Sequence, residues 1–240
     1  MQKGYFITGT DTDVGKTWAT IALMRYFKQK GYSVVGMKPV AAGCSFSADR
    51  DDNHEVLHNE DALLIQANAS VAVPYELVNP YAYLLPVSPH IACVKNPVNL
   101  AKVVACFDEL KQLADIVLVE GAGGWYAPIN HYEDISDLAK ELSLPVILVV
   151  GIKLGCINHA KLSYQAIEQS GLVCAGWIAV CVDGDMLFID ENIETIKAAL
   201  PLPLLGVLPH LAEADFDYLA KKLIVRLTMS GLDLRGTAQV

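Results

Sequence analysis

The sequence has no apolar run long enough to cross a bilayer. Its longest, such as Val146 to Ile152, fall far short of the roughly 20 residues that a spanning helix needs. Positive charge is scarce: 18 Lys and Arg face 27 Asp and Glu, for a net charge of −9. No Lys/Arg run breaks this balance. Neither the basic stripe of a nucleic-acid binder nor a patch that grips anionic lipid is therefore expected. The six cysteines, Cys44, Cys93, Cys106, Cys156, Cys174 and Cys181, lack C-x-x-C spacing and fall mostly in apolar segments. They read as reduced core thiols of a cytoplasmic protein. His54 and His58 have H-x3-H spacing, but with no Cys or third His nearby a solvated loop is expected rather than zinc. Met1-Gln2-Lys3 leads straight into an apolar strand, so no signal peptide is expected.

What is present is enough for a sizeable core. At 240 residues, one domain spanning 1–240 is the natural expectation. Short apolar runs alternate with helical patterns. Tyr5 to Thr8, Ser33 to Met37, Asp115 to Val119, Val146 to Val150, Cys174 to Val182 and Pro203 to Val207 read as strands. Helices are expected over Thr17 to Lys30, Leu100 to Leu113, Ile135 to Leu142, Ile157 to Ser170, Phe188 to Leu200 and Phe216 to Thr228. Strands that are apolar throughout, alternating with helices, imply an α/β fold: a doubly wound, mostly parallel sheet covered on both faces. Residues 41–97 are less regular, with Pro74, Pro80, Pro86 and Pro89 breaking them into turns, and form an expected insertion for substrate and metal. Residues 229–240 read as a flexible tail.

The stretch "GTDTDVGKT", Gly9 to Thr17, nearly matches the phosphate-binding loop G-x-x-x-x-G-K-[ST], with its first glycine one residue early. Its context, strand then glycine turn then helix, suits a phosphate at a helix N-terminus. Lys16 can reach terminal phosphates and Thr17 can take a place on Mg²⁺. Asp11 and Asp13 would repel a triphosphate unless they serve a cation or an amine, so a positively charged second ligand such as a diamine is a candidate. The second signal is a buried strand that ends in Glu120-Gly121-Ala122-Gly123. An acid there can coordinate or orient Mg²⁺. Asp61, in "NEDAL", is a candidate third oxygen ligand. Lys38, after the second strand, either is a solvated strand end or offsets negative charge near the phosphate.

These residues together resemble the dethiobiotin synthetase family. The matching stretches are "GTDTDVGKT", "GMKPVAAG", "NEDAL", "VNPYAY…PVSPHIA", "VLVEGAGGW", "PVILVVGIKLGCINHA" and "LLGVLPHL", in family order from residue 4 to about 213. The resemblance implies a P-loop NTPase-like fold. It also implies an ATP- and Mg²⁺-dependent closure of diaminopelargonate and CO₂ to a cyclic urea. Thr17, Asp61 and Glu120 resemble the metal ligands, and Lys16 and Lys38 the catalytic pair. The nucleotide is expected against Asp13, Val14, Gly15, Lys16, Thr17 and Trp18, and against Gly121, Ala122 and Gly123. Its base is expected near Val180, Cys181, Pro209, His210 and Leu211, with Glu213 within reach of the ribose. Thr12, Lys38, Ala42 and Ser88 match substrate positions. Gly155, Cys156 and Asn158, in "LGCINHA", resemble the segment that receives substrate carboxylate from a neighbouring subunit, which implies a homodimer with a shared active site.

The chain departs from the family pattern at Ala42, where serine is common. It departs again at Val180, where asparagine often reads adenine, so looser base selectivity is expected. Two rival readings share the loop. One is a partitioning or cell-division ATPase switch, with "YLAKKLIVRL" as an interfacial helix. Against it, Asp11 stands where those proteins carry a second lysine. The other is a small-molecule kinase.

Overall fold

The computed structural model describes residues 4–46 and 56–225. His54, the expected tail and the last residues of the expected C-terminal helix lie outside these. In chain order the elements begin with β1 (Gly4–Gly9), α1 (Lys16–Gln29), β2 (Val34–Met37), β3 (Val40–Ala42), β4 (Ser45–Phe46) and β5 (Leu57–His58). Next come α2 (Glu60–Ala67), α3 (Tyr75–Val78), β6 (Tyr81–Tyr83), α4 (Pro89–Ala92) and α5 (Leu100–Leu113). They are followed by β7 (Ile116–Gly124), α6 (Ile135–Leu142), β8 (Val146–Gly151) and α7 (Cys156–Gln169). The series closes with β9 (Cys174–Val180), α8 (Ile189–Ala199), β10 (Leu204–Leu208) and α9 (Phe216–Ala220).

The main sheet is six-stranded, in the order β10-β9-β8-β1-β7-β2, and all its pairs are parallel. The apolar strands predicted this. β1, β2 and β8 are buried at every residue, as is β9, because helices cover both faces. From β1 the chain runs to the β2 edge and returns to β7. It then crosses to β8 and continues outward to β10. Connections leaving β1 and β8 therefore run to opposite sides, and ligands of open α/β sheets bind at the carboxyl ends of such strands. The β1–β7 register sets Ile7 beside Glu120, which brings the acid to the end of β1 where the phosphate loop begins.

The structure departs from the sequence reading at several places. β7 does not stop near Val119 but continues through Gly124, so Glu120 lies within a strand and not at its end. Between 41 and 97, prolines alone did not reveal β3 pairing with β6, or α2. Asn59 starts α2 by accepting the Ala62 N–H at 3.2 Å. The C-terminal helix is much shorter than expected, ending at Ala220. Its sequence has helical spacing, but β10 is an edge strand with unpaired backbone groups. Leu223 bridges Gly206, and the Ile224 N–H donates to the Leu205 carbonyl at 2.7 Å. Pairing the edge outweighs continuing the helix, and the interfacial-helix reading loses its helix. Among the described residues no helix is long and apolar enough to cross a membrane.

Candidate active site

The phosphate loop is held by packing before any ligand arrives. Val14 is fully buried and wedged between two strands. A Cβ on Gly9 would come within 2.7 Å of its Cγ2, and one on Gly151 within 2.9 Å of its Cβ. Asp13 (φ 56°) and Gly15 (φ 82°) both adopt left-handed backbone, which reverses the chain into α1. At Gly15 a side chain would be strained and would meet Val180 Cγ1 at 2.7 Å. Val180 thus packs against the loop. α1 begins with no side-chain cap, so its dipole and first N–H groups favour an anion there.

Asp11 has an internal role that the sequence did not reveal. One carboxylate oxygen accepts the Thr12 N–H at 2.8 Å, and the other lies 3.4 Å from the Lys153 ammonium. Burial alone would raise its pKa, but these partners lower it. The expectation that both loop aspartates face a ligand therefore narrows to Asp13, which lines the cavity.

Behind the loop is a charged cluster built from β7, the end of β2 and the first turns of α1 and α2. The Glu120 side chain is fully buried. Its Oε1 accepts from the Thr17 hydroxyl at 2.9 Å and from the Lys38 ammonium at 2.7 Å. The same ammonium donates to Asp61 Oδ2 at 2.5 Å. Burial would lower the Lys38 pKa, but Glu120 and Asp61 together hold it above the usual lysine range. Lys38 is thus no solvated strand end. Glu120 Oε2 is buried and has no hydrogen-bond partner among the described residues. An orphaned carboxylate oxygen beside a hydroxyl and a second carboxylate fits a small divalent cation. Among the described residues no group of three or more His, Cys, Asp or Glu is arranged for a metal. Mg²⁺ asks for only one or two protein carboxylates and fills its shell with phosphate and water.

One cavity of about 770 Å³ gathers much of the expected site. Thr12, Asp13, Gly15, Lys16, Thr17, Trp18, Lys38, Ala42, Asp61, Ser88, Glu120, Ala122 and Gly123 line it. Asn59, Pro86 and Ala127 also line it, and sequence reasoning did not name them as site residues. Only Asn59 left a readable signal, a capping residue directly before the acidic first turn of α2. Gly121 is buried between Phe6 and Ile135 and reaches the cavity only through its neighbours. Cys181, Pro209, His210, Leu211 and Glu213 follow β9 and β10, outside the cavity wall. There the Cys181 N–H donates to the Leu208 carbonyl, and His210 packs on Gly184. Gly155 and Asn158 are exposed at the start of α7 and also lie outside the wall. Cys156 is buried, its thiol 3.8 Å from Asn192 Oδ1, so only its backbone is available to a ligand.

Lys16 folds back to donate to the Asp11 carbonyl at 2.7 Å. Burial drives its pKa down to about 8, with Glu120 opposing and Lys38 assisting. A phosphate against it would favour the charged form. Well below pH 8 Lys16 is already protonated, and nucleotide binding should take up no proton there. Near pH 9 uptake should approach about one proton, and affinity should fall as pH rises further. Calorimetry in buffers of different ionisation enthalpy measures this, and pH-independent uptake would refute it.

Comparison with known proteins gives the family of the chain. A family model described as an AAA domain matches residues 3–216. An ATP-dependent dethiobiotin synthetase of Aromatoleum aromaticum is 46% identical over 89% of this chain and 93% of its own length. The Escherichia coli K12 protein named ATP-dependent dethiobiotin synthetase BioD 1 is 46% identical with the same coverage. A relative from Cellvibrio japonicus named ATP-dependent dethiobiotin synthetase BioD is 45% identical over 90% of this chain and 93% of its own. Among solved structures, the MinC:MinD cell division protein complex of Aquifex aeolicus is similar at a TM-score of 0.56. It is 17% identical, covering 92% of this chain and 86% of that one, and this likeness concerns the fold alone. The chain belongs to the ATP-dependent dethiobiotin synthetase family.

Proposed function

We propose that this chain is a ligase of biotin biosynthesis that joins diaminopelargonate and CO₂ into dethiobiotin, with conversion of ATP to ADP and phosphate. The observation that carries the reading is the convergence of Lys16, Lys38, Thr17, Glu120 and Asp61 on one cavity that Thr12, Asp13 and Ser88 also line. One amine adds to CO₂ and loses a proton, giving a carbamate. The carbamate oxygen then attacks the γ-phosphorus as the bond to ADP breaks. The second amine attacks the carbonyl carbon of the mixed anhydride, and phosphate leaves. Lys16 and Lys38 offset the negative charge that grows during phosphoryl transfer. Asp13 and the Thr12 and Ser88 hydroxyls suit the polar diamine end. Mg²⁺, held by Thr17, Asp61 and Glu120, would neutralise phosphate charge.

Incubation with diaminopelargonate, bicarbonate, Mg²⁺ and ATP tests this by mass spectrometry of the products. A cyclic urea with equal ADP and phosphate is expected. A stable phosphate ester would point to a kinase. Nucleotide hydrolysis indifferent to the diamine would point to the ATPase switch, which has less support: Asp11 replaces the loop lysine and its partner is Lys153.

The domain reading places substrate and metal contacts of residues 41–97 on one arm of a single domain. Its six buried thiols suit a cytoplasmic location. Val180, packed on Gly15, shapes the base side without an amide to read it, and broader nucleobase use is the consequence. The start of α7 in a second copy, with Gly155 and Asn158 exposed, completes the substrate site in a two-fold dimer. Asn158→Asp should then raise the KM for diaminopelargonate roughly five- to tenfold by repelling its carboxylate, with kcat little changed. A fully active monomer in sedimentation, or an unchanged KM, would exclude the shared site.

A further inference from the structure

Two catalytic arms meet in the cluster, and they come from different parts of the chain. Lys38 follows β2, whereas Asp61 belongs to the first turn of α2. Their side chains touch at 2.5 Å. A contact between a flexible lysine and a carboxylate that is 42% exposed does not by itself fix two backbones. A second link, made of buried amide and phenol groups, does so from behind.

Asn79 is buried between β2 and β6. Its amide nitrogen donates to the Lys38 carbonyl at 2.6 Å and to the Tyr81 carbonyl at 3.3 Å. Its side-chain oxygen accepts from the Tyr75 hydroxyl at 3.0 Å. That hydroxyl in turn accepts the Asn59 N–H at 2.8 Å. Asn59 caps α2, and two residues later comes Asp61. The Tyr75 ring lies against the His58 ring, with centroids 4.4 Å apart. The bonds close a circuit that runs from the Lys38 backbone through Asn79, Tyr75 and Asn59 to Asp61, and back to the Lys38 ammonium. Every strong donor and acceptor on the two link side chains is used, as a specifying buried network requires.

We propose that Asn79 and Tyr75 are positioning residues, which hold Lys38 and the Asp61 arm at the spacing the reaction needs. Neither lines the cavity, so both act through Lys38 and Asp61. The inference deepens the proposed ring-closing function and rests on it.

Tyr75→Phe removes only the hydroxyl and keeps the ring against His58. It should lower kcat for the cyclic urea about fivefold, the worth of one to two hydrogen bonds, with the KM for ATP unchanged. In a Lys38→Ala background the same change should cost little more, because the residue it positions is gone. Mn²⁺ titration in the presence of ADP, followed by electron paramagnetic resonance, should show severalfold weaker binding in Tyr75→Phe. Thermal midpoints verify that each variant is folded. If Asn79→Ala also folds, it should show the same non-additivity. Equal fractional losses of kcat with and without Lys38, or wild-type kcat and Mn²⁺ affinity in Tyr75→Phe, would overturn the proposal. If the wild type forms no cyclic urea, the functional reading fails by itself, and the Mn²⁺ titration still decides whether the link holds the Asp61 arm.

Discussion

Lys38→Ala is expected to lower turnover by roughly 10²–10³-fold, the usual loss when one preorganised charge donor is removed from a developing anion. The KM for ATP should change less, since Lys16 and the α1 N-terminus remain. The structure adds a second consequence. Glu120 is fully buried and Lys38 is its charged partner. Removing one member of a buried pair leaves an uncompensated charge, at a cost of about 3–5 kcal/mol. The variant should therefore melt well below the wild type without metal and regain part of the loss when Mg²⁺ is added. The wild type, whose carboxylates already hold an ammonium, should respond to Mg²⁺ alone much less. Near-normal turnover would remove Lys38 from the catalytic pair. A melting point equal to wild type would mean that Glu120 finds another partner.

Why some of this was legible in the sequence and some was not has a physical explanation. The loop, Lys16 and Thr17 are local: strand, turn and helix follow within a few residues, and Gly15 marks a left-handed turn that only the backbone dictates. Glu120 was found because an apolar strand carries one acid, and the parallel register then delivers it beside β1. Asp61 was nominated from composition and resemblance, since nothing in the spacing of 41–97 says which side of the fold α2 faces. The Asp11–Lys153 pair could not be read, because it joins groups 142 residues apart through the β1–β8 adjacency. The Asn59–Tyr75–Asn79 link escaped for a similar reason. Asn79 and Tyr75 belong to turn-rich chain, and their meaning lies in which carbonyls they meet. The C-terminal helix failed because periodicity cannot register an open sheet edge competing for the same backbone.

Glu120→Gln isolates charge from shape at the centre of the site. The amide is nearly isosteric, and its oxygen can still accept from Thr17 and from Lys38. Lys38 keeps Asp61 as counter-ion, so the variant should fold and melt close to wild type. The lost charge falls on a fully buried side chain, whose second oxygen has no partner among the described residues. A neutral oxygen holds Mg²⁺ far more weakly than a carboxylate, and the amide nitrogen is no ligand at all. Mn²⁺ bound with ADP should therefore weaken by at least about tenfold, and cyclic urea formation should fall roughly 10²-fold or more at fixed metal. Asp61→Asn makes the graded control. Its carboxylate is 42% exposed, so solvent screens it and the metal's own waters can replace it. The order of loss should be Glu120→Gln well ahead of Asp61→Asn, with excess Mg²⁺ rescuing the second more fully than the first. Equal losses would mean that burial does not set the hierarchy, and a reversed order would move the main metal contact from β7 to α2.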